Sequence, residues 1–456
     1  MRKGSTYLSI SAAIAVAGAL MVSAPAGASP NPVAGPSGQT AQTPLERQVL
    51  SPGDGWASAG TGTTGGSAAV DAHVYDVSTK AELQAAFAAA GVQPKIVRVH
   101  GTIDANTAPD GSPMTCENYS EGTGYSLQQY LTDYDPATYG RDKEPAGPQE
   151  DARRAAATKQ ARNIRVDIPS NTTVVGATPD SSITGAALRI NGASNVIVRN
   201  LTVRDAHDCF PSWDPTDGSE GNWNSEYDML QVINKATNVW IDHSEFTDAP
   251  NLDSNQPVYF GRPYQVHDGA VDVTNGSDLV TMSFNRFADH DKLLLIGSTD
   301  NTNRGDPGKL RVTIHHNEFV NVGQRAPRVR FGQVDVYNNH YVVTEDSTVP
   351  YGYTFGAGFD SHLYAEANAF TLPAGIDPAN IIGRYKGSVI TTIGNTVNGK
   401  ITDLRAVYNA SASPANQLAE DTSWTPTLRT QVHPAQAVPG LLKSSTGPIF
   451  TAGGKG

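Results

Sequence analysis

Two neighbouring stretches, Val312-Thr-Ile-His-His-Asn317-Glu-Phe319 and Val334-Asp-Val-Tyr-Asn-Asn339-His-Tyr341, decide the fold of this chain. Each is a short β-branched run that ends in Asn, a polar residue and an aromatic residue. The pattern recurs with steps of 43, 41, 32, 22, 29 and 27 residues between equivalent positions. These positions are Leu201, Ser244, Asn285, Asn317, Asn339, Asn368 and Asn395. Such a repeat predicts the stacked coils of a solenoid, in which the longer steps become loops on one face.

Asparagine suits the corner of each coil for two reasons. It tolerates left-handed backbone, and its amide can bond to the same residue one coil away. We therefore predict an all-β fold, a parallel β-helix with loops on one face. The pattern alone leaves one alternative open, an ordinary β-sandwich with asparagines beside its turns.

The N-terminus has the pattern of a secretory signal peptide. Arg2 and Lys3 are followed by an apolar run over residues 11–22 and by the small residues Ala26-Gly-Ala28. A positive start, a short apolar core and a small-residue cleavage site are typical of export signals. We expect residues 1–28 to be removed and the protein to be secreted, with an uncleaved anchor as the alternative.

Composition divides the remainder into two parts. Residues 29–70 are dominated by Ser, Gly, Ala, Thr and Pro, which predicts a flexible leader. Residues 71–456 form the repeat domain. It begins with a short capping helix over residues 80–90, where Leu83 and Phe87 recur at helical spacing.

The chain is acidic, with a formal net charge of −12 that becomes two units more negative when the signal is removed. Such a charge repels nucleic acid and anionic membranes, so we expect neither as a partner. No association element is evident, which favours a monomer. Cys116 and Cys209 either pair in an oxidising compartment or remain buried thiols, and the sequence leaves both open.

Carboxylates recur on neighbouring coils of the predicted solenoid. Glu226 and Asp228 share one face of a predicted strand, and Asp268 and Asp272 share a face one repeat later. Like charges this close are unfavourable unless a cation lies between them, and carboxylate oxygens favour Ca²⁺ over softer metals. A solvated acidic face is the alternative.

Basic residues follow on the next two coils. Lys292 comes first, and Arg325, Arg328 and Arg330 come one coil later, although Arg328 also fits a solvated surface position. Oxygen ligands for a hard cation beside permanent positive charges suit a polyanionic substrate that carries carboxylates.

An ordered set of five stretches resembles the pectate lyases of polysaccharide lyase family 1. The stretches are Tyr227-Asp-Met-Leu-Gln-Val232, Val239-Trp-Ile-Asp-His243, His267-Asp-Gly-Ala-Val-Asp272, Asp289-His-Asp-Lys292 and Arg325-Ala-Pro-Arg-Val-Arg330. The resemblance implies a right-handed, single-stranded parallel β-helix. It further implies a secreted bacterial enzyme that cleaves α-1,4-polygalacturonate by β-elimination and leaves 4,5-unsaturated oligogalacturonides.

The resemblance also assigns roles to individual residues. Asp228, Asp268 and Asp272 match calcium ligands of the family, and Glu226 is a further candidate ligand.

For the basic residues, the resemblance matches Lys292 and Arg330 to the groups that hold a substrate carboxylate and Arg325 to the base. An arginine is an unusual base, since its free pKa is above ~12, but neighbouring cations favour its neutral form. An alkaline pH optimum is therefore expected.

Three other functions compete with this one. A pectin lyase cleaves methyl-esterified chains on the same fold without metal. A hydrolase resembling polygalacturonase would use paired carboxylates as acid and base. A β-helical adhesin would bind without chemistry, and the basic residues beside the predicted metal site argue against it.

Overall fold

The structure, a computed structural model, describes residues 43–450 of the 456-residue chain. The predicted signal peptide, residues 1–28, and the first part of the predicted leader, residues 29–42, lie outside the described residues. The remaining part of the leader and nearly all of the repeat domain are described.

Parallel strands form three long sheets within residues 43–450. The first sheet consists of Val74–Val77, Lys95–Val99, Thr172–Gly176, Ser194–Arg199, Thr237–Asp242, Asp278–Ser283, Val312–His315, Gln333–Tyr337, His362–Glu366 and Thr391–Ile393. The second consists of Thr102–Asp104, Ser182–Thr184, Thr202–Arg204, Glu245–Thr247, Arg286–Lys292, Glu318–Gln324, His340–Val342, Ala369–Thr371, Thr396–Val397 and the antiparallel Lys400–Ile401. The third consists of Arg165–Asp167, Ala187–Asn191, Leu230–Ile233, Val271–Val273, Leu295–Ile296, Arg328–Val329, Phe355–Ala357 and Ile382–Arg384.

The chain visits the three sheets in turn and so winds into a right-handed parallel β-helix, as predicted. Each strand pairs with its equivalents in the coils before and after it. Inward side chains merge into one apolar column that extends from Val77 to Leu418. Outward side chains at the same register position lie one strand apart, at roughly 4.8 Å.

The predicted asparagine contacts between coils are confirmed. Asn317 donates from its backbone N and its Nδ2 to Oδ1 of Asn339, at 2.9 and 3.0 Å. The same pair of bonds links each buried member of the row to the next, from Asn285 through Asn368 to Asn395. One side chain per coil thus closes the corner and fixes the vertical register.

An aromatic stack runs beside the asparagine row. Phe287, Phe319, Tyr341 and Phe370 stack with ring centroids 4.6–5.0 Å apart. The expected left-handed backbone lies one residue earlier than we predicted, for example at His316 with φ 54°. The asparagine itself must point its amide along the stack, so the preceding residue makes the turn.

Helices close the ends and flank one side of the solenoid. The predicted capping helix is confirmed at Lys80–Ala88, where Thr79 and Glu82 form a capping box. The other helices are Cys116–Ser120, Leu127–Asp133, Pro136–Tyr139, Pro148–Ile164, Leu404–Ser411 and Val438–Leu442. Among the described residues, no helix combines the length and the apolar character that crossing a membrane requires.

Residues 43–70 correct the prediction of a flexible leader. This segment crosses the outer surface of the first sheet, where Leu50 and Ala57 are buried against Ile197 and Trp240. Its backbone N–H groups donate to side chains of the sheet, as at Ala57, whose N lies 3.0 Å from Thr281 Oγ1. The composition rule fails because these hydrogen bonds, rather than apolar area alone, hold the segment.

Cys116 and Cys209 form a disulfide, which settles the alternative that the sequence left open. It ties the helix Cys116–Ser120 to the loop before a hairpin of Ser212–Asp214 and Asn222–Asn224. A second hairpin, Val258–Tyr259 with Arg262–Pro263, packs on the first. Their aromatic side chains form a separate cluster beside the helices.

A substitution that removes one of the asparagine contacts between coils should test the contribution of the asparagine row to stability. Asn317→Ala deletes the acceptor of Asn285 and a donor to Asn339, and buried groups without partners cost about 1–3 kcal/mol each. We expect the free energy of unfolding to fall by at least about 2 kcal/mol in urea titrations. Asn380→Ala, at an exposed position, is the control, and equal losses in both variants would contradict the role of the row.

Candidate active site

The site is built around Asp228, in the loop before the strand Leu230–Ile233 of the third sheet. This carboxylate is 3% exposed. Its Oδ1 accepts from Gly269 N at 2.7 Å and its Oδ2 accepts from Gln231 Nε2 at 2.7 Å. The side chain is therefore held in one orientation from the coil above and from its own strand.

Asp272 faces Asp228 across Gly269. A Cβ built on Gly269 would lie 2.5 Å from Asp228 Oδ1 and 2.7 Å from Asp272 Oδ1. Only glycine leaves room for both oxygens at this point. Asp272 Oδ1 also accepts from Leu295 N at 2.9 Å, so the next coil fixes its position too.

Mutual repulsion makes these acids hard to ionise. Burial, followed by the negative charge of Asp268, raises the pKa of Asp228 to about 7. Burial and the charges of Asp228 and Asp268 also raise the pKa of Asp272 well above its ordinary value, although the Arg325 guanidinium opposes this. A nearby cation would remove the repulsion and favour all three charged forms.

The donor set fits a hard cation that keeps other ligands as well. Carboxylate oxygens from Asp228, Asp268 and Asp272 suit Ca²⁺, which takes 6–8 oxygen ligands. Within residues 43–450, these oxygens do not all lie within 4.8 Å of one another. Three aspartates would thus supply part of the coordination shell, and water or a substrate carboxylate would complete it.

The basic residues lie on the two coils that follow. Lys292 is 8% exposed and pairs in register with Gln324, directly before Arg325. Arg325 has left-handed backbone with φ 59°, and its Nε is buried without a hydrogen-bond partner among the described residues. The chain therefore places Lys292 and Arg325 on the two coils after Asp272, and the Arg325 guanidinium is near enough to oppose the raised pKa of Asp272.

Arg330 is positioned by a partner that the sequence analysis missed. Its Nε donates to Asp300 Oδ1 at 2.8 Å, and its Nη1 donates to Gly297 O at 2.7 Å. Asp300 also binds Lys386 Nζ at 2.6 Å. Asp300 belongs to a loop between coils and has no fixed place in the repeat, so no pattern pointed to it.

Arg328 is part of the same basic cluster and is not a solvated surface residue. Its guanidinium lies over the ring of Tyr385, 3.9 Å from the centroid. Burial, together with the charges of Arg330 and Arg325, lowers the pKa of Arg328. Three arginines within one segment thus concentrate positive charge opposite the aspartates.

Glu226 lies in a different environment from Asp228. Its side chain is 57% exposed and forms an ion pair with Arg165. The prediction that the two acids share a strand face is wrong, because the strand begins only at Leu230 and residues 226–228 are loop. The structure does not bring Glu226 into the aspartate group.

A buried network supports the site from below, and the sequence analysis did not find it. His290 Nε2 donates to the backbone carbonyls of Asp268 and Lys292, at 3.1 and 3.3 Å, and its Nδ1 lies 2.6 Å from Asp248 Oδ2. Burial acts to lower the pKa of His290, but Asp248 outweighs it and the pKa is raised. The His290 imidazole thus anchors the backbone of two predicted site residues.

His267 extends this network. Its Nε2 lies 2.9 Å from Asp205 Oδ1, and its Nδ1 lies 3.1 Å from Asp253 Oδ1. Despite burial, Asp248 and these two acids raise the pKa of His267 well above its ordinary value. His267 is thus a buried member of an ion-pair network.

Comparison with known proteins identifies the family. A family profile described as pectate lyase matches residues 40–117 and 148–430. The chain belongs to the pectate lyase family. It is 44% identical over 387 residues to a pectate lyase of Bacillus subtilis strain 168, across 84% of this chain and 89% of that protein. Pectate lyase D of Dickeya chrysanthemi is 36% identical over 355 residues, across 76% and 78%.

Solved structures agree with this assignment. A pectate lyase bound to a hexasaccharide superposes with a TM-score of 0.83 at 41% identity, covering 89% of this chain and 98% of that one. An arginine-to-lysine mutant of the Bacillus subtilis pectate lyase gives 0.84 at 41% identity, covering 89% and 99%. The fold is therefore the pectate lyase β-helix, and the chain is a bacterial pectate lyase.

The raised pKa values predict how the stability of the folded protein depends on pH when a chelator has removed divalent cations. Asp272 stabilises the fold when protonated, and this contribution is lost as pH rises from the unfolded pKa near 4 through the higher folded value. Relative to Asp272→Asn, the wild-type Tm should fall by roughly 2 °C or more between pH 5 and pH 8. The exposed control Asp217→Asn should track the wild type; parallel curves for wild type and Asp272→Asn would contradict the prediction.

Proposed function

We propose that this pectate lyase is secreted, acts as a monomer and cleaves polygalacturonate by β-elimination with Ca²⁺ as cofactor. The signal-like residues 1–28 and the disulfide both favour an oxidising, extracellular location. Recovery from culture medium with an N-terminus near residue 29 would test secretion. Retention in the cell would contradict it.

One observation carries the catalytic part of the proposal. Two buried aspartates with raised pKa values, Asp228 and Asp272, face each other across Gly269, and the guanidinium of Arg325 is near enough to oppose the increase at Asp272. Carboxylates that repel one another create affinity for a divalent cation, and the adjoining basic cluster attracts a substrate carboxylate. A relative bound to a hexasaccharide supports an oligosaccharide as the ligand.

Each residue then has a defined task. Asp228, Asp268 and Asp272 would hold the cation, whose charge would offset the negative charge that builds up on the substrate carboxylate. Lys292 and Arg330 would bind and orient that carboxylate. Substrate is thereby held with its C5 hydrogen towards Arg325.

The reaction breaks two bonds and forms one double bond. Arg325, in its neutral form, would take the C5 proton, and the C5–H electron pair would become the C4–C5 double bond. The C4–O bond breaks, and the departing sugar oxygen takes a proton from water. Arg325 then returns its proton to solvent, so the enzyme is regenerated and no co-reactant is consumed.

Product analysis distinguishes this proposal from hydrolysis and from a metal-free pectin lyase. We expect ultraviolet absorbance to rise when protein and polygalacturonate are mixed with calcium, to vanish with a chelator and to recover when calcium is restored. Absorbance that still rises in the presence of a chelator would contradict the proposal that the reaction requires calcium. Reducing ends without absorbance would replace elimination by hydrolysis.

Substitution of Arg325 tests the base. Arg325→Lys and Arg325→Ala should lower kcat by roughly 10²–10⁴ with a smaller effect on KM, because a general base acts mainly in the transition state. Arg304→Ala, at an exposed position, is the control. A kcat in Arg325→Ala within a few-fold of wild type would remove Arg325 from this role, as would a pH optimum below neutrality.

A further inference from the structure

A basic cavity lies beside the site, at the first strands of the third sheet. It has a volume of about 530 Å³ and lies against the helix Pro148–Ile164. Glu226 is the one carboxylate that lines it within residues 43–450. Five arginines line it: Arg153, Arg154, Arg162, Arg165 and Arg189. This concentration contrasts with the net charge of −12 of the whole chain.

Ion pairs within residues 43–450 occupy four of these arginines and leave Arg162 available. Arg153 and Arg154 share Glu150. Arg165 binds Glu226, and Arg189 binds Asp167. Five guanidiniums thus face three carboxylates, which leaves two positive charges.

Arg162 is exposed and lies on the same helix face as Arg154, eight residues earlier. Glu226 and Asp167 are themselves more than half exposed, so their ion pairs are weak. An incoming anion can therefore bind to Arg162 directly and compete for Arg165 and Arg189.

The cavity is in line with the aspartates on the same outer face. Arg189 pairs in register with Gln231, and Gln231 pairs in register with Asp272. Two strand steps, roughly 10 Å, thus separate Arg189 from the aspartate group, and two more reach the strand of Arg328. A linear polymer that lies across the strands would pass over the basic cluster, the aspartates and then the arginine cavity.

We propose that the cavity is a distal subsite that binds a carboxylate of the same galacturonate chain, beyond the sugar units that lie over the aspartates. A polyuronate repeats its carboxylate along its length, so one chain can engage both sites. Arginine favours this ligand because its planar fork matches a carboxylate. The inference rests on the proposed function and adds to it a preference for long chains that depends on Arg154 and Arg162.

Chain length is the variable that tests the subsite. We would measure kcat/KM for wild type and for the double variant Arg154→Gln/Arg162→Gln on galacturonate oligomers of increasing length and on polygalacturonate. Loss of charge-assisted bonds should reduce kcat/KM on long chains by roughly tenfold, mainly through KM. An oligomer too short to span the roughly 10 Å between the aspartates and Arg189 does not reach the cavity, so its kcat/KM should be unchanged.

Controls separate this result from a loss of folding or of the proposed activity. Because Arg154→Gln takes one partner from the buried Glu150, the single variant Arg162→Gln is the folding control: its Tm should equal that of wild type, and it should show part of the same loss on long chains. Arg304→Gln should behave as wild type at every length. Arg162→Glu should weaken the binding of long substrates further, because it places a negative charge in the cavity. An equal loss at every length, or no loss at any, would overturn the subsite, whereas wild type that forms no unsaturated product would overturn the proposed function instead.

Discussion

The vertical hydrogen bond between asparagine amides is the constraint on which the remaining structure depends. Each rung between Asn285 and Asn395 fixes one coil against the next at about one strand spacing, so side chains at equivalent positions become neighbours although they are 22 to 32 residues apart in sequence. Asp272 meets Leu295 on coils that the Asn285–Asn317 bond joins, and Asp228 meets Gly269 on coils joined by the bond from Ser244 N to Asn285 Oδ1. A slip by one residue would turn Asp272, which lies within a strand, into the core.

The same rigidity explains how like charges persist side by side. Asp228 and Asp272 keep their positions because backbone N–H groups of neighbouring coils hold them, despite the electrostatic cost that their raised pKa values report. Beneath them, His290 and His267 bind other acids, and His290 also anchors the backbone. The scaffold therefore stores an unfavourable arrangement of charge at its outer face, as functional sites often do.

Features that follow the repeat were predictable, and features in the insertions were not. The spacing of Asp268 from Asp228 matched the repeat step, so their approach could be read from the sequence. The partner of Arg330, Asp300, lies in a loop without periodicity. Glu226 was misplaced because alternation applies only inside a strand, and the strand starts later, at Leu230. Sequence patterns predict what regular hydrogen bonding controls.

The segment of residues 43–70 has a consequence for how the molecule unfolds. A solenoid whose coils contact only their neighbours can fray from either end, one coil at a time. Here this one irregular segment of turns and short 3₁₀ helices binds side chains on five successive strands of the first sheet: Thr173, Asn195, Asn238, Thr281 and Thr313. Coils that are distant along the axis are thereby coupled. Local fraying gives way to cooperative, all-or-none opening, which slows the loss of the native state.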